Sequence, residues 1–226
     1  MCGRFFVSMT WEQYRTLLGL TTPPPASNFA PNWNAAPTHD VLVCAAPEGA
    51  RRLEKMRWGL VPGWAREPPK FATINAMTEG LEDKPTWRAS LDKMRCAAPV
   101  GGFYEWRGPK GAKEPFLIRR RDGAPMLIAG LYAFNDRIDP AGVRSFALVT
   151  CPANAAMRAI HERMPAILAP EDLDLWLDGR GWSAAHKALL RPCPDEWLEA
   201  LPVARAVGNV RNNTPDLIEP IGEPLF

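Results

Sequence analysis

The chain has 226 residues, 46% hydrophobic and 23% charged, a balance that supports a sizeable buried core, leaves no room for extensive disorder and fits one domain. A net charge of +2 with a pI near 8.3 is too small to mark a nucleic-acid binder by itself. Five cysteines in odd number, with no CxxC pair, argue against a disulfide framework and a thiolate metal cage, and most of them read as buried thiols. No run of about 18 apolar residues exists and Met1-Cys-Gly-Arg opens no apolar leader, so the cytoplasm is the expected compartment, with nucleoid association if the source is bacterial.

In chain order, Cys2 to Ser8 reads as a short strand. Thr10 and Gln13 then form a capping box that opens a helix carrying Trp11, Tyr14, Leu17 and Leu18. Pro23 to Pro25 and the Asn/Pro-rich stretch up to Pro37 read as loop, followed by strands at Val41 to Ala45 and Leu53 to Trp58. Prolines and glycine between Pro62 and Met77 predict a long surface loop carrying Trp64, Phe71 and Asn75, the kind of segment where binding residues gather.

A helix is expected from about Pro85 to Met94, then strands at Cys96 to Val100, Phe103 to Arg107, Pro115 to Arg120, Met126 to Phe134 and Phe146 to Cys151. Asn154 is placed to cap a short helix ending near His161. A strand at Pro165 to Leu168 and helices at Pro170 to Leu177 and Ser183 to Leu190 complete the pattern. Strand and helix do not alternate strictly. The fold class expected is therefore α+β, a curved, mostly antiparallel sheet or barrel-like core with peripheral helices.

Cys2 carries the sharpest chemistry. Removal of Met1 exposes a 1,2-aminothiol, with an amine pKa of about 7.7 to 8.0 and a thiol pKa of about 8.5 in an unperturbed setting. The amine can condense with an aldehyde to an imine, and the thiol can add to that imine and close a five-membered thiazolidine, helped by intramolecular proximity.

Strand alternation would put Arg4 on the face of Cys2, where its charge would lower both pKa values and attract a phosphate. In Gly101-Gly-Phe-Tyr-Glu-Trp-Arg107, Glu105 lies among aromatics, where a carboxyl can serve as general acid and base. His161 in Ile160-His-Glu-Arg-Met-Pro165 can shuttle protons, and Asn75 can orient a carbonyl or hydroxyl. Basic residues cluster at Arg51, Arg52, Lys55 and Arg57 and again from Arg107 to Arg121, although such clusters are most often solvated faces.

Seven segments occur in order along nearly the whole chain: Met1-Cys-Gly-Arg-Phe5, Asn34-Ala-Ala-Pro37, Arg57-Trp-Gly-Leu-Val-Pro62, Ile74-Asn-Ala76, Gly102-Phe-Tyr-Glu-Trp106, Ile160-His-Glu-Arg-Met-Pro165 and Val207-Gly-Asn-Val-Arg211. Together they strongly resemble the SRAP-domain family, named for SOS response-associated peptidase and understood to shield abasic sites in single-stranded DNA through a thiazolidine crosslink. The resemblance implies that Cys2 is the nucleophile, Asn75 holds the opened deoxyribose, Glu105 handles protons during ring opening and imine formation, and His161 assists imine chemistry and crosslink reversal. It implies DNA-backbone contacts at Arg4 and Arg163 and base contacts at Trp58, Trp64 and Trp106. One departure stands out: relatives commonly carry arginine two residues after the motif asparagine, where this chain has Met77.

The activity so implied needs no metal or organic cofactor. Its partner is single-stranded DNA with abasic sites, with no membrane contact, and the chain is expected to act as a monomer. A lyase side reaction follows if the imine acidifies the sugar before the thiol closes the ring. Two other readings use the same residues: a cysteine peptidase or self-processing hydrolase with His161 or Glu105 as base, and a non-catalytic DNA-binding module in which Cys2 is incidental.

Overall fold

The computed structural model describes residues 2–21 and 30–226; the proline run at Pro23 to Pro25 lies outside them. The chain opens with β1 (Phe5–Val7), α1 (Trp11–Leu18), β2 (Asn32–Ala35), β3 (Asp40–Ala45), β4 (Arg52–Trp58) and β5 (Asn75–Met77). It continues with α2 (Pro85–Leu91), β6 (Arg95–Val100), β7 (Gly102–Arg107), β8 (Glu114–Arg120), β9 (Met126–Asn135) and β10 (Val143–Pro152). The remainder comprises β11 (Arg163–Pro165), β12 (Ile167–Leu168), α3 (Leu173–Leu177), α4 (Ala184–Leu189) and β13 (Leu198–Pro202).

Pairing closes a ring. β4 pairs with β3, β3 with β6, β6 with β9 and β9 with β10, all antiparallel, and β10 returns to β4 in parallel. Closure removes the open edges that a flat sheet would leave. Two of its strands carry most of the burial: every residue of β6 is buried and so are nine of the ten in β9. A second antiparallel sheet runs in the order β13-β8-β7-β1-β2. The expected barrel-like α+β architecture is therefore present.

β1 links the two layers by alternation, Phe5 facing the main core and Phe6 a second cluster with Tyr104, Leu117 and Val207. Its closeness to β7 depends on Gly101, since a Cβ there would stand 2.3 Å from the Phe6 ring. The predicted caps hold: Thr10 Oγ1 accepts from the Gln13 N–H and the Gln13 side chain accepts from the Thr10 N–H, while Asn154 Oδ1 accepts from the Met157 N–H at 2.9 Å.

The structure also departs from the sequence expectations. β2 and β5 form inside segments read as loop, β13 was not expected, the 165–168 strand splits into β11 and β12, α2 ends at Leu91 rather than Met94, and the helix before His161 is a single 3-10 turn over Met157–Ala159. The strand pieces are too short to show periodicity: β5 and β11 form against the longer β10, β12 against β9, β13 against β8 and β2 against β1. All five cysteines are buried free thiols, as expected. The basic clusters are ion-paired in part, with Arg51 on Asp174, Arg52 on Glu48, Arg107 on Glu114, Arg119 on Glu199 and Arg120 on Asp122. Among the described residues no helix is long and apolar enough to cross a membrane.

Candidate functional site

Cys2 sits just ahead of β1, 1% exposed within the main core cluster. Its Sγ lies 3.8 Å from the Arg4 carbonyl, and that carbonyl also accepts from the Tyr104 N–H at 2.9 Å. The N-terminal residues thereby run beside β7 and reach Glu105. Within β7, Phe103 packs in the main core whereas Tyr104 and Trp106 face the second cluster. Glu105 thus lies on the Phe103 side, 5% exposed, and its Oε1 accepts from the Trp106 N–H at 3.2 Å.

Burial, reinforced by the Glu105 carboxylate, pushes the Cys2 thiol up to about 12 from its ordinary 9.0. This corrects the expectation that Arg4 lowers it. Regular strand begins only at Phe5, so alternation does not carry Arg4 onto the face of Cys2. The Arg4 guanidinium instead turns to the second cluster, donating to Asn34 Oδ1 and to the Val207 carbonyl, each at 2.7 Å, and lying over the Trp106 ring. Desolvation then outweighs any distant cation.

Asn75 is not on a surface loop but opens β5, which pairs in parallel with β10 opposite Leu148. Its Nδ2 donates to the Cys2 carbonyl at 2.7 Å, and its Oδ1 is buried without a partner. Trp58 prepares this placement. Fully buried between Phe5 and Phe146, its indole N–H donates to the Ile74 carbonyl at 3.0 Å, fixing the strand just before Asn75. With both faces covered, Trp58 offers no surface to a base in this conformation, unlike Trp64, which is 55% exposed.

His161 follows the 3-10 turn, its N–H bonded to the Met157 carbonyl. Its Nδ1 accepts from the Arg163 N–H at 3.0 Å, so the neutral ring carries its proton on Nε2. Burial holds the imidazole below its ordinary 6.5, with the Glu105 carboxylate pulling it back up. Glu105 therefore acts electrostatically on both Cys2 and His161, and the structure gathers Cys2, Asn75, Glu105 and His161 at one place.

Arg163 donates through Nη1 to both Glu79 oxygens, at 2.6 and 2.8 Å, and through Nη2 to the Thr150 carbonyl at 2.5 Å. Among the described residues, the buried side-chain polar atoms that lack a hydrogen-bond partner are Arg4 Nε, Asn75 Oδ1 and Arg163 Nε. Asn75 also bonds the Cys2 carbonyl and the Arg163 N–H bonds His161 Nδ1, whereas Arg4 lies two residues from Cys2 with its guanidinium on the second cluster. Sequence reading missed Asn34 as an individual residue: its Nδ2 donates to the carbonyls of Val207, Asn209 and Asn212, so it clasps the Val207–Arg211 segment that Arg4 also binds. It missed Glu79 as well. The co-occurrence of the Asn34 and Val207 motifs was the available signal for the first, and nothing local marked the second.

Beside Asn75 in sequence, the 62–71 loop forms a groove of about 600 Å3 lined by Pro62, Trp64, Arg66, Pro68, Lys70 and Phe71. Trp64 and Phe71 expose 55% and 63% of their surface there.

The class that this fold and geometry define is a closed β-barrel with a second sheet, whose first strand follows a cysteine gathered with a carboxyl and an imidazole, and two arginines whose Nε donors are unfilled. The family follows from the sequence as a whole: the chain belongs to the SOS response associated peptidase (SRAP) family, whose sequence model matches residues 1–210. It is 33% identical to the abasic site processing protein YoqW of Bacillus subtilis, covering 97% of this chain and 99% of the relative. It is likewise 33% identical to the abasic site processing protein YedK of Escherichia coli, over 98% and 100% of the two chains. Among solved structures, a Bacteroides thetaiotaomicron protein superposes with a TM-score of 0.85 at 22% identity, over 97% and 99% of the chains. A phage-related protein of Bordetella bronchiseptica gives 0.72 at 30% identity, over 90% and 95%.

Proposed function

We propose that this protein processes abasic sites in single-stranded DNA by linking Cys2, after loss of Met1, to the aldehyde of the opened sugar. The observation that carries the reading is the convergence of Asn75, Glu105 and His161 on the Cys2 terminus, with Asn75 Oδ1 left unpartnered. The printed names of the relatives, abasic site processing proteins, support the substrate.

The chemistry then follows the pKa order. With the thiol raised to about 12, the α-amine is the first nucleophile near neutral pH. It attacks C1′ of the aldehyde, and the carbinolamine loses one water to give the imine, with Glu105 delivering the proton to the departing hydroxyl. The thiol next adds across the C=N bond. Sulfur bonds to carbon, its proton passes to nitrogen by way of Glu105, and the thiazolidine closes with a net loss of one water. Asn75, held by the Cys2 carbonyl, keeps an acceptor free for a sugar hydroxyl, and neutral His161 offers its Nε2–H to the imine stage and to reversal. Strand binding draws on the exposed Trp64 as a stacking surface and on Arg4 and Arg163 for phosphates, with Trp106 held under the Arg4 guanidinium.

The discriminating experiment uses Cys2→Ala, which keeps an α-amine but lacks the thiol. We expect an adduct that survives only after borohydride reduction, whereas wild type gives one stable without it. A Cys2→Ala adduct stable without reductant would contradict the assignment. Acylation of Cys2 by peptide substrates in place of aldehyde capture would favour the peptidase reading.

A further inference from the structure

Arg163 presents a cation that is already occupied. Its side chain is 14% exposed, whereas Glu79 is 55% exposed, so the carboxylate stands on the solvent side of the guanidinium. Both Glu79 oxygens fall on Nη1, Nη2 is turned inward to the Thr150 carbonyl, and Nε is buried without a partner. A phosphate approaching from solvent meets Glu79 before it meets Arg163. The Glu79 arm also pivots at the strand that holds Arg163: Thr78 N–H donates to the same Thr150 carbonyl, and Thr78 Oγ1 donates to Glu79 Oε2 at 3.1 Å. Met77 pairs opposite Thr150 and supplies no positive charge there.

We propose that Glu79 is an electrostatic gate, its carboxylate occupying on Arg163 the place that a backbone phosphate of single-stranded DNA takes when the strand binds. The proposal rests on the single-stranded DNA reading above and adds its regulation. The exchange is charge for charge: the guanidinium loses one oxyanion and gains another, with no proton moved. It is feasible because an ion pair with one partner half in solvent contributes little to stability, so opening it does not threaten the fold. The gate also sits close to the chemistry, since the Arg163 N–H holds His161 Nδ1.

The test is a salt titration of binding to an undamaged single-stranded oligonucleotide, followed by fluorescence anisotropy, for wild type, Glu79→Gln, Arg163→Gln and the double variant, each checked for folding by circular dichroism. Glu79→Gln should bind about 3- to 10-fold tighter at low salt, because no carboxylate has to be displaced, with a log–log salt slope close to that of wild type, because the same phosphate meets Arg163 in both. In the Arg163→Gln background the gain should vanish. Unchanged or weaker binding by Glu79→Gln overturns the gate, and so does an equal gain without Arg163, which would show a general effect of net charge. If wild type itself fails to bind the strand, the DNA reading falls and takes the gate with it; binding by wild type with no gain in Glu79→Gln removes the gate alone.

Discussion

Three arginines contrast a saturated structural cation with two whose donor sets are incomplete. Arg95 uses all five of its N–H donors: Nε on the Trp176 carbonyl, Nη1 on those of Leu91 and Asp92, and Nη2 on Asp178 and the Arg180 carbonyl. Asp178 in turn meets His186 Nε2 at 3.1 Å, and Ser183 lies 2.8 Å from His186 Nδ1, so the junction of α2, β6, α3 and α4 is closed in on itself. Arg4, on the second cluster, and Arg163, beside His161, each leave Nε buried and unpartnered. A buried polar group without a partner is costly. On the reading proposed above, the incomplete set is where the strand binds.

The contrast can be broken most severely at Glu105. Glu105→Gln keeps the shape but cannot exchange a proton, and we expect crosslink formation to slow by about 10²- to 10⁴-fold with little loss of strand binding, measured by single-turnover kinetics on an abasic oligonucleotide. Arg95→Met strips the saturated cluster of its centre and removes the buried guanidinium from Asp178. Unfolding free energy should fall by about 3–5 kcal/mol in urea titrations, while the crosslinking rate of the remaining folded protein stays near wild type.

A smaller effect sharpens the electrostatics. Met77→Arg would add a cation beside Thr150 and Glu79, tightening single-strand binding and steepening the salt slope by about 0.7; an unchanged slope would count against a phosphate there.

The smallest effect is on pH dependence. Burial keeps the folded-state pKa of His161 below 6.5, so as pH falls through 6.5 the unfolded chain takes up its proton first and native stability declines. His161→Gln should flatten that acid limb in thermal melts at pH 7 and pH 5.5, and an unaltered limb would show that the imidazole is not held neutral.

Much of this was legible in the sequence where the signal is local. The capping residues Thr10, Gln13 and Asn154 were readable because a cap is decided within three residues, and the long strands β6 to β10 because their composition persists. What could not be read depends on distant partners. β5 is three residues long and forms only against β10, so Asn75 looked like loop. Trp58 looked like a stacking surface until Phe5 and Phe146 were seen to cover it. Arg4 finds its acceptor at Val207, 203 residues away, and that distance undid the expectation that it tunes Cys2. Glu79 resembled any exposed acid until β11 brought Arg163 beside it.

The central claim is that Cys2 joins covalently to an abasic site. Purified protein should be incubated with an oligonucleotide carrying one such site and measured by intact-mass spectrometry. The account predicts one species at the mass of the protein without Met1 plus the oligonucleotide minus one water, surviving denaturation. A chain with a free Cys2 terminus and no adduct would contradict it.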